Sequence, residues 1–306
     1  MREFLERLGH KVVVAGGATW YDVQPRVLMT FPYYRLVSVN EETLARLMRE
    51  HSLRALRFPT ELSGLGFESS VAILAGREYG LPSLHVKSRN QTRRGLENCT
   101  VERIDAAFLL KNAMPLNEDT ARRQGLRNQY VDPRYWARFC AAVGRSGGVE
   151  AWGAFWRGRL AAYLVSVEAD GWVEWIVNHS LSEARQAYAN NALVYEAARH
   201  YLGVAERGGI GYGLGSLEPT PDLDHFKARM GWQLRPIRQR LVLARSWAAA
   251  ARVAPSRALS RLSGLLRDTY APRKLLVLLD KYKTQGRGAP ATTGATNAPD
   301  EVTSEN

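Results

Sequence analysis

The sequence predicts an α/β fold: mixed central sheets flanked by helices, followed by a basic helical extension and a polar tail. Three observations carry that expectation. From Met1 to about Arg245 the apolar residues switch between strand-like and helix-like periods. Residues 147–216 read strand–strand–strand–helix–strand, an order that builds an α/β layer with a mixed sheet. The chain has 306 residues, 45% of them hydrophobic. Single cores stop growing at roughly 250–300 residues, so about two domains are expected.

The elements follow in order. KVVVAGG (11–17) and RVLMTFPYYRLV (26–37) predict strands. EETLARLMREHSL (41–53) predicts an amphipathic helix with Leu44, Leu47 and Met48 on one side and Asn40 as N-cap. ALRF (55–58) is a short strand, and DPRYWARFCAAV (132–143) a helix with Asp132 as cap and Pro133 at its first position. GGVEAWGAFWRG and RLAAYLVSVEADG make two strands around a tight turn, and GWVEWIVNHS makes a third. NNALVYEAARHYLGVAERGG is a helix ended by glycines, and IGYGLGS is a strand. Residues 246–283 predict helices, with Leu259, Leu262 and Leu266 on one face and Gly264 weakening the pattern. From Gln285 onward the chain is too poor in large apolar groups to offset its ordering entropy, which predicts a disordered tail over 285–306.

Net charge is +12. Half of it falls between Ser246 and Lys283, where eight cations stand against Asp268 and Asp280. Such a balance favours anionic partners at long range. Two cysteines, Cys99 and Cys140, make neither a disulfide framework nor a metal quartet, which fits a reducing compartment. The N-terminus lacks signal-peptide character, and no apolar run approaches the roughly 20 residues that span a bilayer. A cytoplasmic protein is expected, with peripheral membrane contact open through residues 246–283.

Several motifs can be weighed. GRSGG (144–148) matches the G-x-S-x-G pattern, but that motif needs a strand before the serine and a helix after it, and here the order is reversed. The six histidines show no metal-ligand spacing, so no metal is expected. Gly209, Gly211, Gly213 and Gly215 recur at period two and leave one strand face bare. That face suits either close approach of a substrate or backbone, with Gly213 and Gly215 as binding positions, or helix packing. In DLDHFKARMGW (222–232), Phe226 and Met230 anchor one face and direct Lys227 away from it, toward the glycine strand or into solvent. In VKSRNQTRRGLENC (86–99), Arg89 and Arg93 share one helical face, as do Asn90 and Arg94. Like charges at that spacing repel, and guanidinium forks suit carboxylate or phosphate. A pocket wall, a surface helix paired with Glu97 and Glu102, and a nucleic-acid face all remain open.

In order along the chain, LHVKSRNQTRRGLENCTVERI, ARQAYANNALVYEAARHYL and IGYGLGSLEPTPDLDHFKARMGW resemble the GNAT superfamily, in the branch of the FemAB-like peptidyltransferases. The resemblance covers roughly residues 10–245 and ends in a Phe-Lys-x-x-x-Gly-Trp signature. It implies two GNAT-like lobes, 1–118 and 119–245, then the basic extension 246–284. It implies acyl or aminoacyl transfer from a thioester or ester to the amine of a small molecule or cell-envelope precursor. Lys227 then matches the family's lysine as the catalytic residue, and Arg89, Asn90 and Arg93 match its substrate-binding basic segment. A standard GNAT carries glycines before its central helix to hold a pyrophosphate; here the run is Arg185-Gln186-Ala187-Tyr188-Ala189-Asn190-Asn191. Arg185, Gln186, Asn190 and Asn191 become the cofactor-binding candidates, with acyl-CoA as the donor they can hold. Aminoacyl-tRNA fits less well, because the FemAB-like coiled-coil arm is missing. The alternative is a binding protein that docks on anionic membrane or nucleic acid through residues 246–283.

Overall fold

A computed structural model describes residues 1–125, 128–204, 207–217, 221–257 and 270–285. The predicted Leu259–Leu262–Leu266 helix and residues 286–306 of the predicted tail lie outside the described residues. Among the described residues the strands form one 11-stranded mixed sheet flanked by helices. In chain order they are β1 (Val12–Ala15), β2 (Ala18–Gln24), β3 (Val27–Phe31), β4 (Ala55–Thr60), β5 (Phe67–Leu74), β6 (Cys99–Ile104), β7 (Val149–Trp156), β8 (Arg159–Ala169), β9 (Trp172–Ser180), β10 (Gly209–Leu214) and β11 (Gln233–Leu243). Their spatial order is β1-β2-β3-β4-β11-β5-β10-β9-β8-β7-β6. The sheet is therefore continuous across the chain: β11 sits between β4 and β5, and β6 pairs with β7.

The helices are α1 (Arg2–Arg7), α2 (Glu41–Glu50), α3 (Val86–Asn98), α4 (Ala106–Asn112), α5 (Met114–Gln124), α6 (Pro133–Arg145), α7 (Ala189–Leu202), α8 (Pro221–Arg229), α9 (Arg245–Val253) and α10 (Tyr270–Thr284). Their starts follow from local chemistry. The Asn40 side chain accepts from the Thr43 amide, and Asp132 accepts from the Arg134 and Tyr135 amides with Pro133 behind it, as expected for both caps. RVLMTFPYYRLV forms a strand only as far as Phe31; Pro32 has no amide to give a ladder, and the chain turns away.

One face of the sheet carries α3 and α7. α7 is buried along most of its length, and α3 meets it through the small or buried residues Ser88, Thr92 and Gly95. The approach is close: a Cβ on Gly95 would lie 2.6 Å from the Tyr188 carbonyl oxygen. The other face carries α1, α4, α5 and α6 over an aromatic core in which Trp136 and Phe139 stack at 5.4 Å. Within that core Asn117, Tyr163 and His179 hydrogen-bond one another, and burial lowers the His179 pKa to about 4.

Candidate active site

β9 and β10 run parallel for three registered pairs, the last of which sets Gly211 beside Glu174. Beyond that pair the two strands part. On its other edge, β10 slips register against β5 between Gly211 and Leu214. The Tyr212–Gly213 peptide is thus left without a ladder partner, where an unpaired buried group costs on the order of 1–3 kcal/mol. Two side chains of opposite charge take the missing places. Lys227 Nζ donates to the Tyr212 carbonyl at 2.8 Å, and the Gly213 amide donates to Glu174 Oε1 at 3.0 Å.

The glycines make this arrangement sterically feasible. A Cβ on Gly211 would lie 2.4 Å from Glu174 Oε2, and one on Gly209 would meet the Trp172 ring and the Leu74 carbonyl. At Gly209 and Gly211 the bare strand face is thus taken up by the Trp172 and Glu174 side chains of β9. Gly213 adopts φ +76° with open space around its Cβ position. Gly215 donates its amide to the Ser70 carbonyl and backs onto the Ser69 and Ser70 hydroxyls.

Lys227 lies in the last turn of α8. The helix closes with the Met230 and Trp232 amides both returning to the Lys227 carbonyl, and with Gly231 at φ +96°. Met230 is fully buried and Phe226 packs beside it, as their spacing predicts. Lys227 is itself buried, with its ammonium 4.6 Å from the centre of the Tyr212 ring. Burial lowers its pKa, against the opposing pull of Asp224 and Glu174.

Glu174 has no exposed surface. Burial pushes its carboxyl up to about 7; the Gly213, Tyr34 and Tyr33 amides and the Lys227 ammonium pull the other way. Oε2 has no partner in hydrogen-bond geometry, so the Tyr33 and Tyr34 amides approach the carboxylate without completing a bond to that oxygen. These two residues come from the loop after β3. The loop is pinned over the β8–β9 hairpin by Tyr34, which stacks on Trp172 at 4.6 Å and donates to the Ala169 carbonyl. Behind the site, Trp175, Tyr212 and Trp232 form an aromatic cluster.

The other sequence candidates are placed as follows. Arg89 donates from Nε to the Leu81 carbonyl and from one Nη to those of Pro82 and Leu84, so its guanidinium braces the turn before α3. That turn reaches α8 through the His85 amide on the Arg229 carbonyl. Asn90 and Arg93 lie exposed on the outer side of α3. Arg185 and Gln186 are exposed on the 3-10 turn Glu183–Ala187, at the far end of β9 from Glu174. Asn190 and Asn191 follow in the first turn of α7; Asn191 is buried and directs Nδ2 at the Met230 sulfur, 3.5 Å away. The structure thus brings Lys227 and Gly213 together and sets Arg185 and Gln186 beyond the far end of β9, while Asn191 reaches only the Met230 sulfur after α8.

Sequence reasoning missed Glu174, Tyr212, Tyr33 and Tyr34. One signal was present for Glu174: it is the lone acid within the otherwise apolar run Trp172–Val177. Among the described residues no cluster of three His, Cys, Asp or Glu forms a metal set, and no helix is long and apolar enough to cross a membrane.

No protein-family model matches the chain, and no curated protein matches it by sequence. Solved structures do. FemX aligns over 77% of this chain and 89% of its own, with a TM-score of 0.54 and 14% identity. The C-terminal domain of a protein named as a lysylphosphatidylglycerol synthetase from Agrobacterium fabrum aligns over 76% of this chain and 85% of its own, with a TM-score of 0.51 and 13% identity. L-PGS from Bacillus licheniformis aligns over 78% of this chain and 86% of its own, with a TM-score of 0.50 and 12% identity. The chain has the fold of FemX and of these two lysylphosphatidylglycerol-synthetase-type structures.

Proposed function

We propose that this protein transfers an acyl or aminoacyl group to an amine where β9 and β10 part. In this reading Glu174 accepts the proton and Lys227 supplies positive charge. The observation that carries it is a buried carboxyl with a pKa of about 7, one peptide away from a buried ammonium. A general base works best when its pKa lies near the operating pH, and contributes typically 10²–10⁴-fold. Attack by an amine on an activated ester needs little else beyond alignment and charge stabilisation. The amine nitrogen bonds to the donor carbonyl carbon as the C–S or C–O bond breaks. The one proton lost by nitrogen passes to Glu174 Oε2 and is then handed, directly or through water, to the departing thiolate or alkoxide, which returns Glu174 to its carboxylate. Lys227 stabilises negative charge on the carbonyl oxygen or on the leaving group.

We read the chain as two GNAT-like lobes whose strands join in one sheet, with the loop of Tyr33 and Tyr34 as the first lobe's contribution to the site. Arg89 serves by holding the turn behind α8, while Asn90 and Arg93 form an outer basic face for an anionic part of the substrate. The names of the structural neighbours favour an acceptor in the cell envelope or on a lipid. A test is direct. Amine acceptors are screened with acyl-CoA and with aminoacyl-tRNA donors, and Glu174→Gln and Lys227→Ala are compared with the parent on any pair that reacts. The proposal expects both variants to lose about 10²-fold or more in rate while staying folded.

A further inference from the structure

A cation in the first half of the sheet stands near the transfer site without entering it. Arg57 alternates along β4 with Leu56 and Phe58, which are buried with Leu44 and Leu47 of α2. Its side chain therefore leaves the sheet on the opposite face. There the fully buried Gln239 fixes its direction. Gln239 Oε1 accepts from Arg57 Nε at 2.6 Å, while Gln239 Nε2 donates to the Ser69 hydroxyl at 2.5 Å and to the Gly215 carbonyl at 3.3 Å. Gly215 lies just past β10, on the chain that leaves Gly213. A second polar path reaches the same guanidinium from the far side. Tyr33, whose amide approaches Glu174, shares a hydrogen bond of 2.5 Å between its hydroxyl and that of Tyr21. Burial raises the pKa of both phenols, and the Arg57 charge acts against that rise in both. Tyr33 thus spans the interval from Glu174 to Arg57, its amide toward the acid and its hydroxyl toward the cation.

We infer that Arg57 anchors an anionic group of the acceptor, which is therefore an amine carrying a carboxylate or phosphate at its far end. The inference rests on the transfer site proposed above and deepens it by naming the acceptor class. The polarity of the strip fits such a ligand: a carboxylate at one end draws the ammonium form of the amine, and a guanidinium at the other draws the anion. An arginine whose stem is held by a buried amide is pre-organised as a fork for carboxylate or phosphate. Arg57, Tyr33, Ser69 and Gly215 are each only partly buried, so the strip is reachable from solvent. Length narrows the class further. A ligand touching both ends must match the reach of Tyr33 from amide to hydroxyl. An α-amino acid, whose amine and carboxylate share one carbon, is too short; a chain of several carbons between the two groups fits. Tyr21 belongs to the aromatic core under α1, α4, α5 and α6, so this anchor lies on the sheet face opposite α3. Asn90 and Arg93 of α3 thus meet a different part of the reactants.

The test is a binding measurement that needs no donor. The full chain is titrated, by calorimetry or by NMR, with aminohexyl phosphate, ε-aminocaproate, hexylamine and glycine. The inference expects at least one of the two long anionic amines to bind about tenfold or more tighter than hexylamine and glycine. Whichever of the two binds tighter identifies the anion as phosphate or carboxylate. Arg57→Gln is expected to erase the preference over hexylamine, and Arg57→Lys, which keeps the charge without the fork, to restore part of it. The comparison among the four probes is made on the parent, so it decides the matter even where Arg57→Gln fails to fold. Hexylamine or glycine binding as tightly as both anionic amines, no binding of either anionic amine, or a preference that survives intact in folded Arg57→Gln overturns the inference. Anion-selective binding without transfer to any amine would leave the anchor standing and sink the transfer proposal; transfer to hexylamine as fast as to the anionic amines would do the reverse.

Discussion

Lys227 and Glu174 grip opposite ends of one peptide group, the ammonium on the Tyr212 carbonyl at 2.8 Å and the carboxylate on the Gly213 amide at 3.0 Å. A trans peptide points its C=O and N–H in opposite directions, so the two charges stand on either side of β10. They satisfy what the parting of β9 from β10 and the bulge against β5 leave bare. A local fault in the sheet thereby becomes a place where charge is held in a dry setting.

Substituting Glu174 separates stability from activity. Its folded pKa of about 7 lies above the ordinary 4.5. The folded protein therefore binds the extra proton between those values, and this group's contribution to stability falls as pH rises through about 7. A gap of that size corresponds to about 3 kcal/mol. Glu174→Gln keeps an acceptor for the Gly213 amide without the buried charge. Thermal unfolding at about pH 8 is expected to show the variant stabler than the parent, by less than that figure because Lys227 loses its counter-charge. The advantage should vanish below the unfolded pKa.

His179 acts in the opposite sense. Its pKa is lowered from 6.5 to about 4, chiefly by burial. The stability it contributes is fully present above 6.5 and is lost as pH falls through about 4. In the parent the two groups offset each other across much of the same window. Denaturant titrations of Glu174→Gln over that window should therefore reveal a stability that climbs with pH more steeply than the parent's.

Gly211 and Gly213 should fail for different reasons. Gly211→Ala places a Cβ 2.4 Å from Glu174 Oε2, so the carboxylate must move. Activity is expected to fall by about 10²-fold, the scale of a lost base. Gly213→Ala meets no neighbour but sits at φ +76°, in the left-handed region that costs a side-chain-bearing residue about 1–2 kcal/mol. Unfolding curves and transfer rates on the two variants separate the steric effect from the conformational one.

Arg89→Ala removes donors from the carbonyls of Leu81, Pro82 and Leu84. A loss of about 1–3 kcal/mol in unfolding free energy is expected. Transfer at saturating substrate should change far less than in Lys227→Ala. Hydrogen exchange at the turn before α3 would show where the stability went.

Much of the fold was legible because local chemistry decided it. The Asn40 and Asp132 caps, the three-strand run of β7 to β9, and α7 all formed where capping residues and apolar period placed them. The continuity of the sheet was not legible. β11 enters between β4 and β5, a long-range pairing that no local period encodes. At the site, Lys227 and the glycine strand could be read as candidates, since Phe226 and Met230 fixed the helix face and the glycines recur at period two. Glu174 could not, because its partner is the amide of a residue 39 positions away, exposed by a register shift. Nor could the sequence show that Arg89 turns back on its own chain.

The most direct test follows the transfer rate of the parent and of Glu174→Gln with pH, from about 5 to 9, using the donor and acceptor that react fastest. The account predicts that kcat/KM of the parent rises through an apparent pKa near 7, and that the variant loses both that limb and about 10²-fold or more of the rate. A folded Glu174→Gln protein that transfers as fast as the parent, with the same pH profile, would contradict it.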